Sequence, residues 1–239
     1  MIMRTLTGQL LAALRTLLVL TVLLGLLYPL AVTGIAQVAF RDNANGSLLK
    51  VEGRTVGSEL IGQAFVGADG KPLPQWFQSR ASNAGHGYDP TATAASNLGP
   101  EDVTDTPDDP ATQKDDSHTS LLTLICTRSK QVGGDNGVDG GRPYCGPDGL
   151  GTAGRRGTGN ADRAAVPPDA VTSSSSGLDP HISPAYARLQ VQRVARARGL
   201  PVEQVRALVE AQVQGRTLGF LGAPRVNVLR LNLALARLG

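Results

Sequence analysis

The sequence predicts an α+β fold: a single N-terminal transmembrane helix followed by one extracytoplasmic α+β domain that carries a long, loop-like insertion. Three observations lead there. No charged residue lies between Thr16 and Phe40. Two bounded helical patterns follow Ser183 and Pro201, and the stretch from Val226 to Leu235 alternates as a half-buried strand does. The halves of the domain, 41–100 and 166–239, are separated by 101–165, where Asp, Gly and Thr dominate.

The uncharged run of about 25 residues reaches about 37 Å as a helix, enough to cross a hydrocarbon core of about 30 Å with some tilt. Residues 16–40 are therefore assigned to the span and 1–15 to the cytoplasm. Arg4 and Arg15 precede the span with no acidic residue on that side, so the positive-inside bias leaves the rest of the chain outside. A cleaved secretory signal is the rival reading, because Gly34-Ile35-Ala36 offers a small-x-small site. The run is longer than a signal core, however, and carries Tyr28 and Pro29 midway. Pro29 is expected to kink the helix, and Thr21, Thr33 and Gln37 need partners within the helix, from a neighbouring helix or at the interface.

The remainder is long enough for one domain with a substantial core. Its 29 glycines and 15 prolines against 4% aromatic residues point to much loop. A net charge of +3 is too small to imply a nucleic-acid partner. The acidic run Glu101 to Asp116 and the arginines after Tyr186 read as solvated faces. Cys126 and Cys145 are the only cysteines. Outside the cytoplasm they are expected to pair, closing a loop of about 20 residues for roughly 3 kcal/mol. Zinc would need further ligands nearby, and none is apparent.

Leu48, Leu49 and Val51 give a short strand and Gly53-Arg54 a turn, while Trp76 and Phe77 anchor a loop to the core. Within 101–163 one apolar island, Leu121 to Cys126, suits a short strand or a helical turn; the rest has too few apolar residues to offset its ordering entropy. Asp135 to Gly140 faintly resembles a calcium loop but lacks the ligand alternation, the terminal Glu and flanking helices. Val166 to Val171 can extend into a strand. Ser183 is a hydroxyl cap followed by Pro184, the helix runs to Arg198, and Gly199 stops it. The next helix begins around Pro201, carries Val202, Val205, Leu208, Val209 and Val213 at helical spacing, and ends at Gly215. In the last stretch Leu229, Leu231, Leu233 and Leu235 point one way.

Enzyme motifs are absent: no nucleophile elbow, Walker lysine loop, metalloprotease helix or dinucleotide fingerprint occurs. The densest polar constellation runs from Ser173 to Ser183. It supports an alternative reading as an anchored extracytoplasmic serine hydrolase, with Ser176 as nucleophile, His181 as base and Asp179 as orienter. Pro180 opposes it, because it holds Asp179 extended and stops the two side chains facing each other; a turn in which Asp179 accepts backbone donors fits better. Gln190 falls inside the apolar stripe Tyr186, Ala187, Val191, Val194 and Ala197. A buried amide needs partners, supplied either by a backbone group in the core or by a partner protein or ligand.

With these segments in order, the chain resembles the C subunit of the bacterial Kdp potassium-transporting P-type ATPase. The resemblance rests on Gly57 to Gln63 (GSELIGQ), Tyr88 to Pro90 (YDP), Ser96 to Pro100 (SNLGP), Gly177 to Pro184 (GLDPHISP), Gln190 to Ala195 (QVQRVA), Gly215-Arg216 and Pro224 to Leu229 (PRVNVL), followed by Leu231 to Ala234 (LNLA). Ala81, where the family has Pro, and Ala223, where it often has Glu, depart from the pattern.

The resemblance implies an accessory, non-catalytic subunit of a high-affinity potassium import complex in the bacterial plasma membrane. Its partners would be a channel-like potassium-binding subunit, a P-type ATPase subunit and a small membrane peptide. ATP and magnesium would act on the catalytic partner, and no directly bound cofactor or metal is expected here. The family is also described as assisting ATP binding, which would draw on Gln190; the external placement of the domain opposes that. Asn97, Asp179, His181, Gln190, Arg225 and Asn227 are the residues expected to define the fold or an interface.

Overall fold

The computed structural model describes residues 2–111, 117–141, 144–145 and 165–238. The chain divides into two compact units, 1–58 and 59–239.

In the first unit, helix α1 (Ile2–Val22), a π-helical turn (Leu23–Leu27) and helix α2 (Tyr28–Ala39) run on without a break. From Leu6 to Ala39 they form one apolar helix of 34 residues, long enough to cross a membrane and buried nowhere by the protein itself, with a mean hydropathy of 2.4 over its most apolar 18-residue stretch. The helix thus begins well before Thr16, where the charge-free run starts. Pro29 explains the π-turn: it lacks an N–H, and its ring would crowd the carbonyl one turn earlier, so the helix widens by one residue. Tyr28 N–H accordingly donates to Leu23 O. The Thr16 hydroxyl donates to Ala12 O at 3.0 Å, and the Gln37 and Asn45 side chains bond each other at 3.2 and 3.3 Å. A short helix, α3 (Arg41–Ala44), precedes the antiparallel hairpin of β1 (Leu48–Val51) and β2 (Arg54–Ser58), which carries an irregularity between Leu49 and Lys50.

The second unit contains α4 (Leu121–Asn136), α5 (Pro168–Val171), β3 (His181–Ile182), α6 (Pro184–Arg198), α7 (Val202–Ala211), β4 (Val213–Gln214), β5 (Arg225–Asn227) and α8 (Val228–Ala236). Its small antiparallel sheet has the order β3-β5-β4, with Ile182 and Val213 both opposite Val226. Phe77, Val191, Val194, Val205, Val209, Val226, Leu231 and Leu235 form the middle of the core, with Trp76 packed against it. The loop anchor predicted at Trp76-Phe77 is thus present.

Helix α6 follows the expected rules. The Ser183 hydroxyl accepts Tyr186 N–H at 3.0 Å, Pro184 lies in the first turn, and Gly199 ends the helix at φ 66°. Ala197 lies exposed, and Ala195 occupies the buried stripe instead.

Four local expectations fail. Val166 to Val171 is not a strand: Pro167 and Pro168 have no N–H to give a ladder, and Pro168 opens the helical turn α5. Val213 leaves the preceding helix and pairs in β4. From Val228 the chain is helical, not extended. Leu and Ala are strong helix formers, and the buried set Val228, Leu231, Asn232 and Leu235 has helical spacing as readily as the leucines have a period of two.

The fourth failure is in the insertion, where the apolar island continues as the 16-residue helix α4. Its ordering comes from outside its own sequence. The Ser120 hydroxyl caps it, Asp102 accepts Leu121 N–H, and Asp105 accepts both Ser120 N–H at 2.7 Å and the Thr123 hydroxyl at 2.8 Å. The acidic run therefore supplies carboxylates to a helix N-terminus as well as facing solvent. The Ser120 bond, first, and that from Thr123 hold the Asp105 carboxyl below its usual pKa. At the other end Gly137 adopts φ 72°, and the chain folds back so that Gly140 crosses Gly133 closely. Cys126 and Cys145 form a disulfide, as expected.

Candidate functional site

Helices α4 and α6 and the segment 72–81, which turns at 73–76, line a groove of about 880 Å³. Arg80, Arg128, Arg193 and Arg196 line it, with Asp135 as its carboxylate. Segment 72–81 is bridged only near its ends, Pro72 to Val66 and Ala81 to Ser173, so the backbone groups between need other partners. Two buried side-chain amides provide them. Gln190, on α6 and 0% exposed, accepts Gln78 N–H at 2.7 Å and donates to Gln78 O at 3.1 Å. Asn232, on α8, does the same for Phe77, with both bonds at 2.9 Å. Each amide imitates the two-bond pairing of a neighbouring strand.

Arg193 locks the same place. Its guanidinium donates to the Gln190 side-chain oxygen at 2.6 Å, Pro74 O at 2.6 Å, and Trp76 O and Asn136 Oδ1 at 3.0 Å. One side chain thereby joins α6, the 72–81 segment and the inserted helix α4. Burial lowers its pKa, which leaves an arginine fully charged at neutral pH. Arg128, on α4, donates to Val171 O at 3.3 Å, and Arg198 stacks over the Trp76 ring, 4.2 Å from its centroid. Of the two alternatives open for Gln190, the core backbone bond is the one present.

A second polar cluster surrounds Asp179. One carboxylate oxygen accepts His181 N–H at 2.9 Å and lies 3.3 Å from His181 Nδ1; the other lies 3.4 Å from an Arg80 nitrogen. Burial pushes the Asp179 pKa up, but the His181 bonds and the Arg80 charge together outweigh it, so the carboxyl lies below the ordinary range. Arg80 also donates to Thr172 Oγ1 and Ser173 O. The Tyr88 hydroxyl reaches both Arg80 O, at 3.0 Å, and Asp179 O, at 3.3 Å. Burial first of all, against several weaker opposing influences, raises the Tyr88 pKa to about 12. Gly62 is required where the chain passes this cluster, because a Cβ there would sit 2.9 Å from Asp179 O and against the Tyr88 ring.

The structure joins Asp179 to His181 but does not complete a hydrolase triad. The Ser176 hydroxyl accepts Leu178 N–H at 3.1 Å and lies 3.4 Å from the Ser174 hydroxyl. No bond connects it to His181 among the described residues, and the segment is the carboxylate-centred turn that Pro180 favours. Asn227 accepts Arg230 N–H at 3.0 Å, capping α8, and donates to Glu59 O at 2.8 Å. Asn97 is exposed at φ 55°, and Arg225 is part-exposed on the central strand. No group of three or more His, Cys, Asp or Glu suited to a metal occurs among the described residues. Asp135 and Asn136 belong to the last turn of α4.

Sequence reasoning missed Arg80, Arg193 and Asn232. Asn232 carried a usable signal, a polar residue among leucines at helical spacing. Arg80 and Arg193 carried none, since their partners lie far along the chain.

The family model described as "KdpC: K+-transporting ATPase, c chain" matches residues 10–112 and 152–237, covering both the apolar helix and most of the body. The chain belongs to this family. Relatives named potassium-transporting ATPase KdpC subunit include one from Caulobacter vibrioides, 45% identical over 90% of this chain and 86% of its own length. Another, from Kineococcus radiotolerans, is 46% identical over 92% and 88%, and one from Mycobacterium tuberculosis is 43% identical over 96% and 98%. The family match breaks between 112 and 152, the interval that contains α4 and both cysteines. Arg80, Gln190 and Arg193 lie in matched residues, whereas the α4 wall of the groove does not.

Proposed function

We propose that this chain is the accessory, non-catalytic subunit of a high-affinity ATP-driven potassium import complex, required for its assembly and stability. The observation that carries the reading is the family match, which spans the apolar helix and the body together. A helix of 34 residues with no side chain buried by its own protein suits a neighbour in the bilayer. Its companions are a channel-like potassium-binding subunit, a P-type ATPase subunit and a small membrane peptide. ATP and magnesium act on the ATPase subunit. The charge bias around Arg4 and Arg15 assigns the N-terminus to the cytoplasm and the body to the outside. Direct nucleotide binding by Gln190 forms no part of this reading, because its buried amide is already bonded to Gln78 and Arg193.

The test is a mild-detergent pull-down of the C-terminally tagged chain from its native membrane under potassium starvation. A P-type ATPase and a channel-like subunit recovered in comparable amounts support the reading. Recovery of the chain alone, with both subunits expressed, defeats it. Protease added outside intact spheroplasts should digest the body; a protected body overturns the orientation.

A further inference from the structure

The groove lined by α4, α6 and segment 72–81 holds two polar groups that the fold leaves unused. Arg128, half-buried on α4, donates one hydrogen bond among the described residues, the 3.3 Å contact with Val171 O, although a guanidinium has five N–H groups to give. No carboxylate lies within ion-pair distance of it among the described residues. Burial lowers its pKa without removing its charge. The second group is the hydroxyl of Tyr186, a residue in the first turn of α6 that lines the groove and is 4% exposed. This hydroxyl has no hydrogen-bond partner among the described residues, and burial raises its pKa, so it keeps its proton at neutral pH. The other buried cations of the groove are already engaged: Arg80 pairs with Asp179 at 3.4 Å, and the Arg193 guanidinium donates to four acceptors. Buried polar groups are ordinarily bonded, so a guanidinium and a hydroxyl left over in one cavity need acceptors from outside the chain.

We infer that this groove binds a small organic acid, with a carboxylate for Arg128, an acceptor oxygen for the Tyr186 hydroxyl and an apolar body against Val66, Pro72, Val132 and Val138. Its volume of about 880 Å³ lies within the range of small-molecule sites, about 300–1,000 Å³, and an apolar wall with a few placed polar groups is their usual lining. A guanidinium takes a carboxylate through two parallel N–H···O bonds, which Arg128 has the free donors to make. A polyanion suits the groove less. Asp135 lies on the same wall, two turns of α4 or about 10 Å from Arg128, and would repel a second anionic group. Arg128, Val132, Asp135 and Val138 all fall in the interval that the family match omits, whereas Val66, Pro72 and Tyr186 lie inside it. The insertion therefore adds this site to the family scaffold, and the inference does not depend on the accessory-subunit reading.

The test is isothermal titration calorimetry of the full chain in detergent with N-acetylphenylalanine, which carries a carboxylate, an amide carbonyl and an aromatic body. The neutral N-acetylphenylalanine amide is the control. Saturable binding of the acid, at least about tenfold tighter than that of the amide, supports the inference. Equal binding of the two, or no binding of the acid with a Kd below about 10 mM, overturns it. Displacement of the acid by equimolar inorganic phosphate overturns the choice of a carboxylate. Arg128→Gln should weaken binding by at least about tenfold and Tyr186→Phe by about threefold. Tyr186→Phe gives up no hydrogen bond among the described residues, so its thermal midpoint should hold, and it decides the matter if Arg128→Gln loosens α4. Unchanged affinity in Tyr186→Phe overturns the site.

Discussion

Replacing Gln190 by Leu tests whether the buried amides organise the body. Leucine nearly fills the volume but can neither accept from Gln78 N–H nor donate to Gln78 O, the two half-buried backbone groups that the fully buried amide holds. A buried polar group deprived of its partner loses about 1–3 kcal/mol, so two lose about 2–6. Arg193 also loses its 2.6 Å bond to the Gln190 oxygen but keeps those to Pro74, Trp76 and Asn136. Leucine recovers roughly 1 kcal/mol through its greater apolarity. The net is about 3 kcal/mol, which for a body of this size lowers the thermal midpoint by about 6–12 °C. Differential scanning calorimetry of the full chain in detergent, before any partner is added, reads this directly. A midpoint within about 2 °C of the unmodified chain, together with lost subunit recovery, would refute the reasoning and return Gln190 to an interface role.

Three further outcomes follow from the geometry. Gly62→Ala forces a methyl against the Tyr88 ring and Asp179 O, so it should destabilise the body by about 1–3 kcal/mol and shift the Tyr88 phenol, read by ultraviolet titration, down from about 12. Removing both cysteines, which are separated by 19 in sequence, should cost about 3 kcal/mol, measured as a lower urea midpoint; an unchanged midpoint would show that α4 is held without the cross-link. Because Asp179 titrates lower in the folded chain than in the unfolded one, its contribution is present above the unfolded pKa of about 3.9 and lost as pH falls through the folded value. Asp179→Asn should therefore lower stability at pH 7 and flatten its decline on acidification, and a decline as steep as the unmodified chain's would contradict the assignment.

Legibility in the sequence followed the range of the interaction. Ser183 with Pro184, Gly199 at the helix stop, and the uncharged run before Arg41 are signals whose cause and effect lie within one turn or one segment; α6 is present where expected, and the apolar helix is present but starts earlier than the uncharged run. Helix α8 was misread because one stretch carries both patterns, four leucines with a period of two and Val228, Leu231, Asn232 and Leu235 at helical spacing; the decision came from Asn227 capping it and from the core that receives Leu231 and Leu235. Helix α4 was invisible because its own apolar content is small, and Asp102, Asp105 and the disulfide partner that order it lie outside its span.

The sequence by itself determined an N-terminal helix long and apolar enough to cross a membrane, the α+β class, the family and the cysteines available for pairing, because composition, local caps and ordered motifs are properties of neighbouring residues. Only the tertiary structure decided what the polar residues do. Gln190 and Asn232 serve segment 72–81 from 112 and 155 positions away, Asp179 meets Arg80 across 99, and Asn227 reaches Glu59 across 168. An amide or a guanidinium has no period to betray its partner; where it bonds is settled when the apolar surfaces close around it and exclude water.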